Sequence, residues 1–281
     1  MHRDGKSPKL TEVSSFSGDP LLSHAMAKMD FAPIADDYAF FVSHSTEAET
    51  HAAAYAKALQ DVDPQGQAIS MLDFGCGGGE FSDRLLSLLN WPPAKLRLSL
   101  VEPVLQHGQQ AARRLARFSA QPVTHRCELP PGKEQFDVIL SNHALYFVED
   151  IETTIQRLAE LLSPEGRMLL ALAGNDHVLV QLWRRGFAEL SQPVPYFTAE
   201  DVSDAVSRLN VPFSTRDVPL QIDFPDTEAN RRRILRFLFG EQLSRLPPEI
   251  ALPWFDPYAD KGRIHIETNS VHFDVRKAVG P

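Results

Sequence analysis

The segment Ile69-Ser-Met-Leu-Asp-Phe-Gly-Cys-Gly-Gly-Gly-Glu80 holds the key to the fold. Its first half, Ile69–Phe74, is a short apolar run of the kind that forms a buried strand. Phe81, Leu85, Leu86 and Leu89 then recur at helical spacing. The glycines therefore lie in a loop that joins a strand to a helix. Glycine there permits positive φ and lets a ligand rest against bare backbone. Working outward, residues 96–101 read as a second strand that ends at Glu102, and 104–118 as a helix with Leu105, Ala112 and Leu115 on one side. A weak strand follows at 123–126 and a clear one at 136–141. Ile151, Ile155, Leu158, Leu161 and Leu162 then mark an amphipathic helix, closed by Ser163-Pro-Glu-Gly166 before a strand at 167–173. Such alternation predicts an α/β fold, a doubly wound, mostly parallel sheet covered on both faces. Sheets of this kind bind ligands beyond the carboxyl ends of their strands. Asp73, Glu102, Cys127 and Asn142 all follow strand ends, so they are expected to meet in one crevice.

The flanks differ in character. Residues 1–30 are mixed polar and read as a poorly ordered tail. A short helix at 36–43 carries Tyr38, Phe40, Phe41 and Val42. Thr46 and Glu49 form the pattern of a capping box at the start of a further helix. Beyond His177, helical stretches are expected at 180–190, 199–209 and 228–246, and 246–260 is irregular. The alternating run 264–275 closes the chain, with Asn269 as a polar residue on the face of Val271, Phe273 and Val275.

Bulk properties narrow the partners. A chain of 281 residues supports one sizeable core with a smaller accessory region. A net charge of −9 disfavours nucleic acid. Two cysteines indicate no disulfide framework and fit a reducing cytoplasm. Neither a membrane span nor the apolar core of a signal peptide is expected. The His and acidic residues lack metal-ligand spacing such as H-E-x-x-H, and no G-x-S-x-G elbow occurs. The expected partner is a small molecule, handled by a monomer or homodimer.

Two ligand classes use a glycine loop of this kind. A dinucleotide fingerprint counted from Gly75 needs its third glycine at position 80, where Glu80 would repel a pyrophosphate. The pattern Asp73-x-Gly75-x-Gly77-x-Gly79 instead resembles motif I of the class I S-adenosylmethionine (SAM) methyltransferases. That resemblance implies a Rossmann-like sheet and SAM as methyl donor. Asp73, Gly75, Gly77 and Gly79 would form its cradle, Glu102 would accept from the ribose hydroxyls, Cys127 or Glu128 would face the adenine, and Asn142 would be a further cofactor-binding residue. His143 stands just past the strand beside the expected methyl donor. It is read as a catalytic base on a hydroxyl acceptor or as a hydrogen-bonding anchor for substrate.

A narrower resemblance rests on Tyr38-Ala-Phe-Phe-Val-Ser-His-Ser-Thr-Glu47, Val101-Glu-Pro103, Ala144-Leu-Tyr-Phe-Val-Glu-Asp150, Leu182-Trp-Arg-Arg185 and Asn269-Ser-Val-His-Phe273. In this order they resemble the histamine N-methyltransferase family, from Tyr38 to Val275. The likeness implies a SAM-binding domain at 61–186 under a helical and mixed substrate cap made of 31–60 and 187–281. Glu47 would contact the cationic or imidazole part of a substrate, and Asn269 would be a polar contact. Tyr38, Tyr146, Phe147 and Trp183 would line an aromatic pocket. His107 matches a position where the family contacts SAM through Gln. His143 departs from the pattern, because the histamine enzymes carry Gln there. Ile234, Leu235, Phe237, Leu238, Phe239, Leu252, Trp254 and Phe255 either pack as core or line a pocket for an acyl or aromatic group. The sequence thus leaves open nitrogen transfer, an O-methyltransferase making an ester or ether (on a hydroxy fatty acid, for example), and a SAM-binding sensor without activity.

Overall fold

A computed structural model describes residues 32–62, 68–132 and 134–277; the expected tail at 1–30 lies outside them. The chain opens with helices α1 (Ala35–Ser43) and α2 (Glu47–Ala58). It then runs β1 (Ile69–Phe74), α3 (Glu80–Leu89), β2 (Leu96–Val101), α4 (Leu105–Leu115), β3 (Thr124–Arg126), β4 (Phe136–Asn142), α5 (Ile151–Glu160) and β5 (Leu162–Ala173). After these come α6 (Val178–Glu189), α7 (Ala199–Arg208), β6 (Phe213–Pro225), α8 (Glu228–Phe239), α9 (Pro248–Ala251), β7 (Ala259–Asp260) and β8 (Arg263–Arg276).

One sheet has the order β3-β2-β1-β4-β5-β8-β6, with β7 paired to β8. The strands from β3 to β5 are parallel, whereas β8 runs antiparallel to both its neighbours. The fold is the doubly wound, Rossmann-like architecture expected. The closing strand β8 lies inside this sheet, between β5 and β6. β1 is buried along nearly its whole length because helices cover both faces. Met71, Leu98, Leu140 and Ala171 face α2, α3 and α4. Leu72, Ile139, Leu170 and Phe273 belong to the larger core that includes α1, α5, α6, α7 and α8.

α1 and α2 therefore serve opposite faces. The chain passes between them around the outer edge of β6, where Asp223 donates to the His44 carbonyl (2.8 Å) and Thr46 donates to that of Gln221 (2.9 Å). This crossing corrects the capping box. The Thr46 hydroxyl accepts from the Gln221 amide (2.9 Å), while Ser45 Oγ accepts from the Glu47 amide (3.1 Å) and Glu49 pairs with Arg84 (3.1 Å).

Further differences have local causes. Strand β6 was not anticipated, although Val218, Leu220, Ile222 and Phe224 alternate and are all buried. Pro219 interrupts that run, and proline is tolerated because β6 is an edge strand. α8 ends at Phe239 rather than reaching 246, since Gly240 adopts φ +52° and the chain tightens into a 3₁₀ turn. β5 starts at Leu162 and absorbs Ser163-Pro-Glu-Gly166 through a register shift opposite Phe136 and Val138. The apolar C-terminal residues resolve as core: Ile234, Leu235, Leu238, Phe239, Trp254 and Phe255 are almost fully buried. Among the described residues no helix is long and apolar enough to cross a membrane.

Candidate active site

Two groups of residues meet at the carboxyl end of the sheet. The first is the glycine loop. Gly75, Gly77 and Gly79 have φ of +75°, +53° and +82°, values open to glycine at little cost. Gly75 is required a second time, since a Cβ there would come within 2.1 Å of the Ala144 Cβ. The loop thus rests directly on the segment after β4. A Cβ at Gly77 would meet nothing within 4 Å, so its backbone faces the crevice. Glu102 is buried and clamps the loop: Oε2 accepts from the Gly77 amide (3.0 Å) and Oε1 from that of Val104 (3.0 Å). Asp73, also buried, accepts from the Ser82 hydroxyl (2.5 Å). Burial raises the Asp73 pKa to about 6, opposed by that hydroxyl and reinforced by Glu102. Among the described residues no lysine or arginine pairs with Asp73 or Glu102. The Glu80 carboxylate lies against Gly78 and pairs with Arg114 (2.7 Å) at the start of α3, where a phosphate would otherwise dock. Two unpaired carboxylates beside an open glycine backbone fit a ligand with a cationic amino acid end and a ribose diol, as SAM has.

The second group surrounds His143, which itself adopts φ +55°. That conformation is uncommon for a residue with a side chain, and strain of this kind gathers at functional sites. The His143 amide donates to the Ala171 carbonyl (3.0 Å), which holds the turn. Its ring sits in a chain of hydrogen bonds. The Ala173 amide donates to the Tyr146 oxygen (2.7 Å), and that oxygen lies 2.8 Å from His143 Nδ1. Nε2 faces the Glu47 carboxylate, an acceptor, so a proton on Nε2 with the phenol donating to Nδ1 is the arrangement that satisfies both contacts. Nε2 points to His51 Nδ1 (3.2 Å) and Glu47 Oε2 (3.5 Å). His51 stacks on His143 (5.0 Å, 15°), its Nδ1 is 3.4 Å from Asn142 Oδ1, and the His272 ring meets it edge-on (4.5 Å). Burial lowers His143 to about 3 and His51 to about 4, so both rings are neutral near pH 7. Burial raises the Glu47 pKa, with His51 opposing.

Glu47, Asn142, His143 and Tyr146 thus come together as one constellation. Phe147 and Trp183 extend it as an aromatic wall, with the Trp183 ring against Tyr146 (5.5 Å) and Tyr196 (4.8 Å) and its N–H donating to the Leu238 carbonyl (2.9 Å). Tyr38 stands apart against Phe237 (5.7 Å), within electrostatic reach of Glu47 and Glu80. Asn269 is half-buried on β8, on the opposite side of the strand from His272. His107 and Cys127 lie exposed at the rim, and the side chain that supports Glu102 is instead His125, whose Nε2 is 2.9 Å from the Glu102 carbonyl. Gly108 makes room for that ring. Sequence reading missed His51, His125 and His272. His51 had a signal, for it lies four residues after Glu47 on one helical face. Among the described residues no group of His, Cys, Asp or Glu is arranged to hold a metal ion.

A methyltransferase-domain profile matches residues 47–211, which takes in α2, the glycine loop and the strand-end residues, and the chain belongs to that family. It is 22% identical over 238 residues to histamine N-methyltransferase B of Xenopus laevis, covering 74% of this chain and 80% of that one. It is 34% identical over 110 residues to the ubiquinone biosynthesis O-methyltransferase of Chelativorans sp., covering 37% of this chain and 40% of that one. The fold is shared with the YcgJ protein of Bacillus subtilis at a TM-score of 0.51 and 13% identity, over 80% of this chain and 99% of that one. The protein is a SAM-dependent methyltransferase.

Proposed function

We propose that the acceptor is a nitrogen atom of a small molecule that carries a cationic or imidazole group. The observation behind this reading is Glu47, a largely buried carboxylate at the crevice with no lysine or arginine partner among the described residues and the neutral His143 ring beside it (3.5 Å). Such a carboxylate gains most from a cation supplied by the substrate. The relative from Xenopus laevis is a histamine N-methyltransferase, which agrees in kind.

SAM supplies an electrophilic methyl group. The chain supplies alignment, which is worth about 7–11 kcal/mol in well-oriented transfers. Asp73, Glu102 and the glycine backbone hold the donor. Glu47 pairs with the substrate cation, and His143 donates from Nε2 rather than acting as a base, because Tyr146 fills its Nδ1 lone pair. Tyr146, Phe147 and Trp183 form the wall against which a flat or cationic group packs. α1, α2 and the region after α6 act as the cap that selects the acceptor. A hydroxyl acceptor is the second reading, favoured by the upward shift of Glu47, which makes it the better base. A carboxylate acceptor would be repelled by Glu47.

The test is transfer of labelled methyl from SAM to a panel of cationic amines, imidazoles, phenols and carboxylates, with products identified by mass spectrometry. Glu47→Gln should lower turnover of a cationic acceptor by about 30-fold, the worth of one charged hydrogen bond, with unchanged affinity for S-adenosylhomocysteine. Preferential methylation of carboxylates would overturn the reading.

A further inference from the structure

His51 is fully buried on α2, one turn after Glu47, so a single helix delivers both side chains. Its ring lies beside those of His143 and His272. Nδ1 is 3.2 Å from His143 Nε2 and 3.4 Å from Asn142 Oδ1, whereas Nε2 has no hydrogen-bond partner. A buried imidazole with one nitrogen unpartnered is costly, and an apolar side chain carries no such cost. That cost points to a role for the ring beyond packing. The His143 Nε2 proton faces two acceptors, His51 Nδ1 and, further off, Glu47 Oε2 (3.5 Å). A proton on His51 Nδ1 would oppose the one on His143 Nε2 and serve only the longer contact to Asn142. Nδ1 is therefore the accepting nitrogen of His51, and its own proton sits on Nε2.

We propose that His51 is a positioning residue: by accepting the His143 Nε2 proton it holds that ring in place and leaves Glu47 free to take the substrate cation. The inference rests on the assignment of Glu47 to that cation. Without His51, the His143 N–H would turn to Glu47, and the substrate would have to compete with it for the carboxylate. With His51, the proton stays on the shorter contact while Glu47 pairs with the substrate. The effect falls on the acceptor and not on the donor, whose proposed cradle is built from the loops after β1 and β2.

The experiment compares the wild-type chain with His51→Leu, which removes the accepting nitrogen, and His51→Asn, whose side-chain oxygen can stand where Nδ1 stood. In the wild type without ligand, ¹H–¹⁵N correlation of the histidine rings should show the His51 proton on Nε2, and His51→Leu should shift the His143 Nε2 resonance. With the cationic acceptor that is turned over fastest from labelled SAM, His51→Leu should raise KM about tenfold, the worth of one hydrogen bond, and leave kcat nearly unchanged. His51→Asn should recover most of that loss. Affinity for S-adenosylhomocysteine should stay constant in both variants, which certifies the fold. A His51 proton on Nδ1 would overturn the proposal. So would an unchanged KM in His51→Leu, or a His51→Asn variant no better than His51→Leu. The tautomer is read in the wild type and needs no acceptor, so it decides on His51 even if a variant fails to fold or the acceptor panel shows a preference for carboxylates.

Discussion

On the side of the crevice proposed to hold the donor, backbone amides from Gly77 and Val104 meet one carboxylate, Glu102, and both come from the loops that follow β1 and β2. On the acceptor side, Glu47, His51, His143 and Tyr146 meet through side chains delivered by α2 and the turn after β4, and the β5 backbone completes the chain through Ala173. The half proposed to hold the donor is fixed by short-range geometry. The acceptor half depends on where α2 lands, and α2 is placed by the edge of β6 and the neighbouring α3.

The largest effect that would expose this division is Glu102→Ala. It would remove the two charged hydrogen bonds proposed to the ribose hydroxyls, together with the clamp on Gly77, and should cost about 3 kcal/mol, or roughly 100-fold in S-adenosylhomocysteine affinity by calorimetry. An unchanged affinity would remove Glu102 from the donor half.

A smaller effect is expected from pH. Burial raises Asp73 to about 6, above the ordinary carboxylate range. A cationic ligand favours the ionised acid, so affinity for S-adenosylhomocysteine should fall about tenfold per pH unit below 6. Asp73→Asn should flatten that profile. In the ligand-free protein the sign reverses. The unfolded chain ionises Asp73 first, so its contribution to stability declines as pH rises from about 4 towards 6. Urea melts of wild type against Asp73→Asn should show that difference.

The smallest effect belongs to the acceptor half. Tyr146→Phe removes the proton held by His143 Nδ1 and leaves the Ala173 amide without its partner, at about 1–3 kcal/mol in stability. The ¹⁵N shifts of His143 should report a change of tautomer, with KM for the acceptor altered a few-fold and donor affinity constant. An unaltered ¹⁵N signature would break the assignment of His143 as a donor.

The difference in legibility follows the same line. The glycine loop was readable because strand, glycines and helix are consecutive, although Asp73 and Asn142 prove to lie within the last residues of β1 and β4 and not beyond them, and only Glu102 and Cys127 follow a strand end. The sheet up to β5 was readable for that reason too. β6 was hidden by Pro219 in an otherwise regular alternation. The acceptor half was readable only in part. Glu47 and Tyr146 entered through family likeness, whereas His51 and His272 sit among apolar neighbours and acquire meaning only when α2 is laid over β8. The role of His143 was left open because its tautomer depends on Tyr146 and on the Ala173 amide, a contact no spacing rule encodes.

The passage of the chain around β6 has a consequence for how molecules meet one another. The amides of residues 219, 221, 223 and 225 share the outward side of that strand. Pro219 and Pro225 have no N–H, and those of Gln221 and Asp223 are taken by Thr46 and His44. Along this stretch the sheet offers no donor to a strand from another molecule. The turn that delivers Glu47 to the acceptor side thus also seals the edge against sheet extension, so a change that freed α2 to accept a different substrate would risk opening a surface for aggregation.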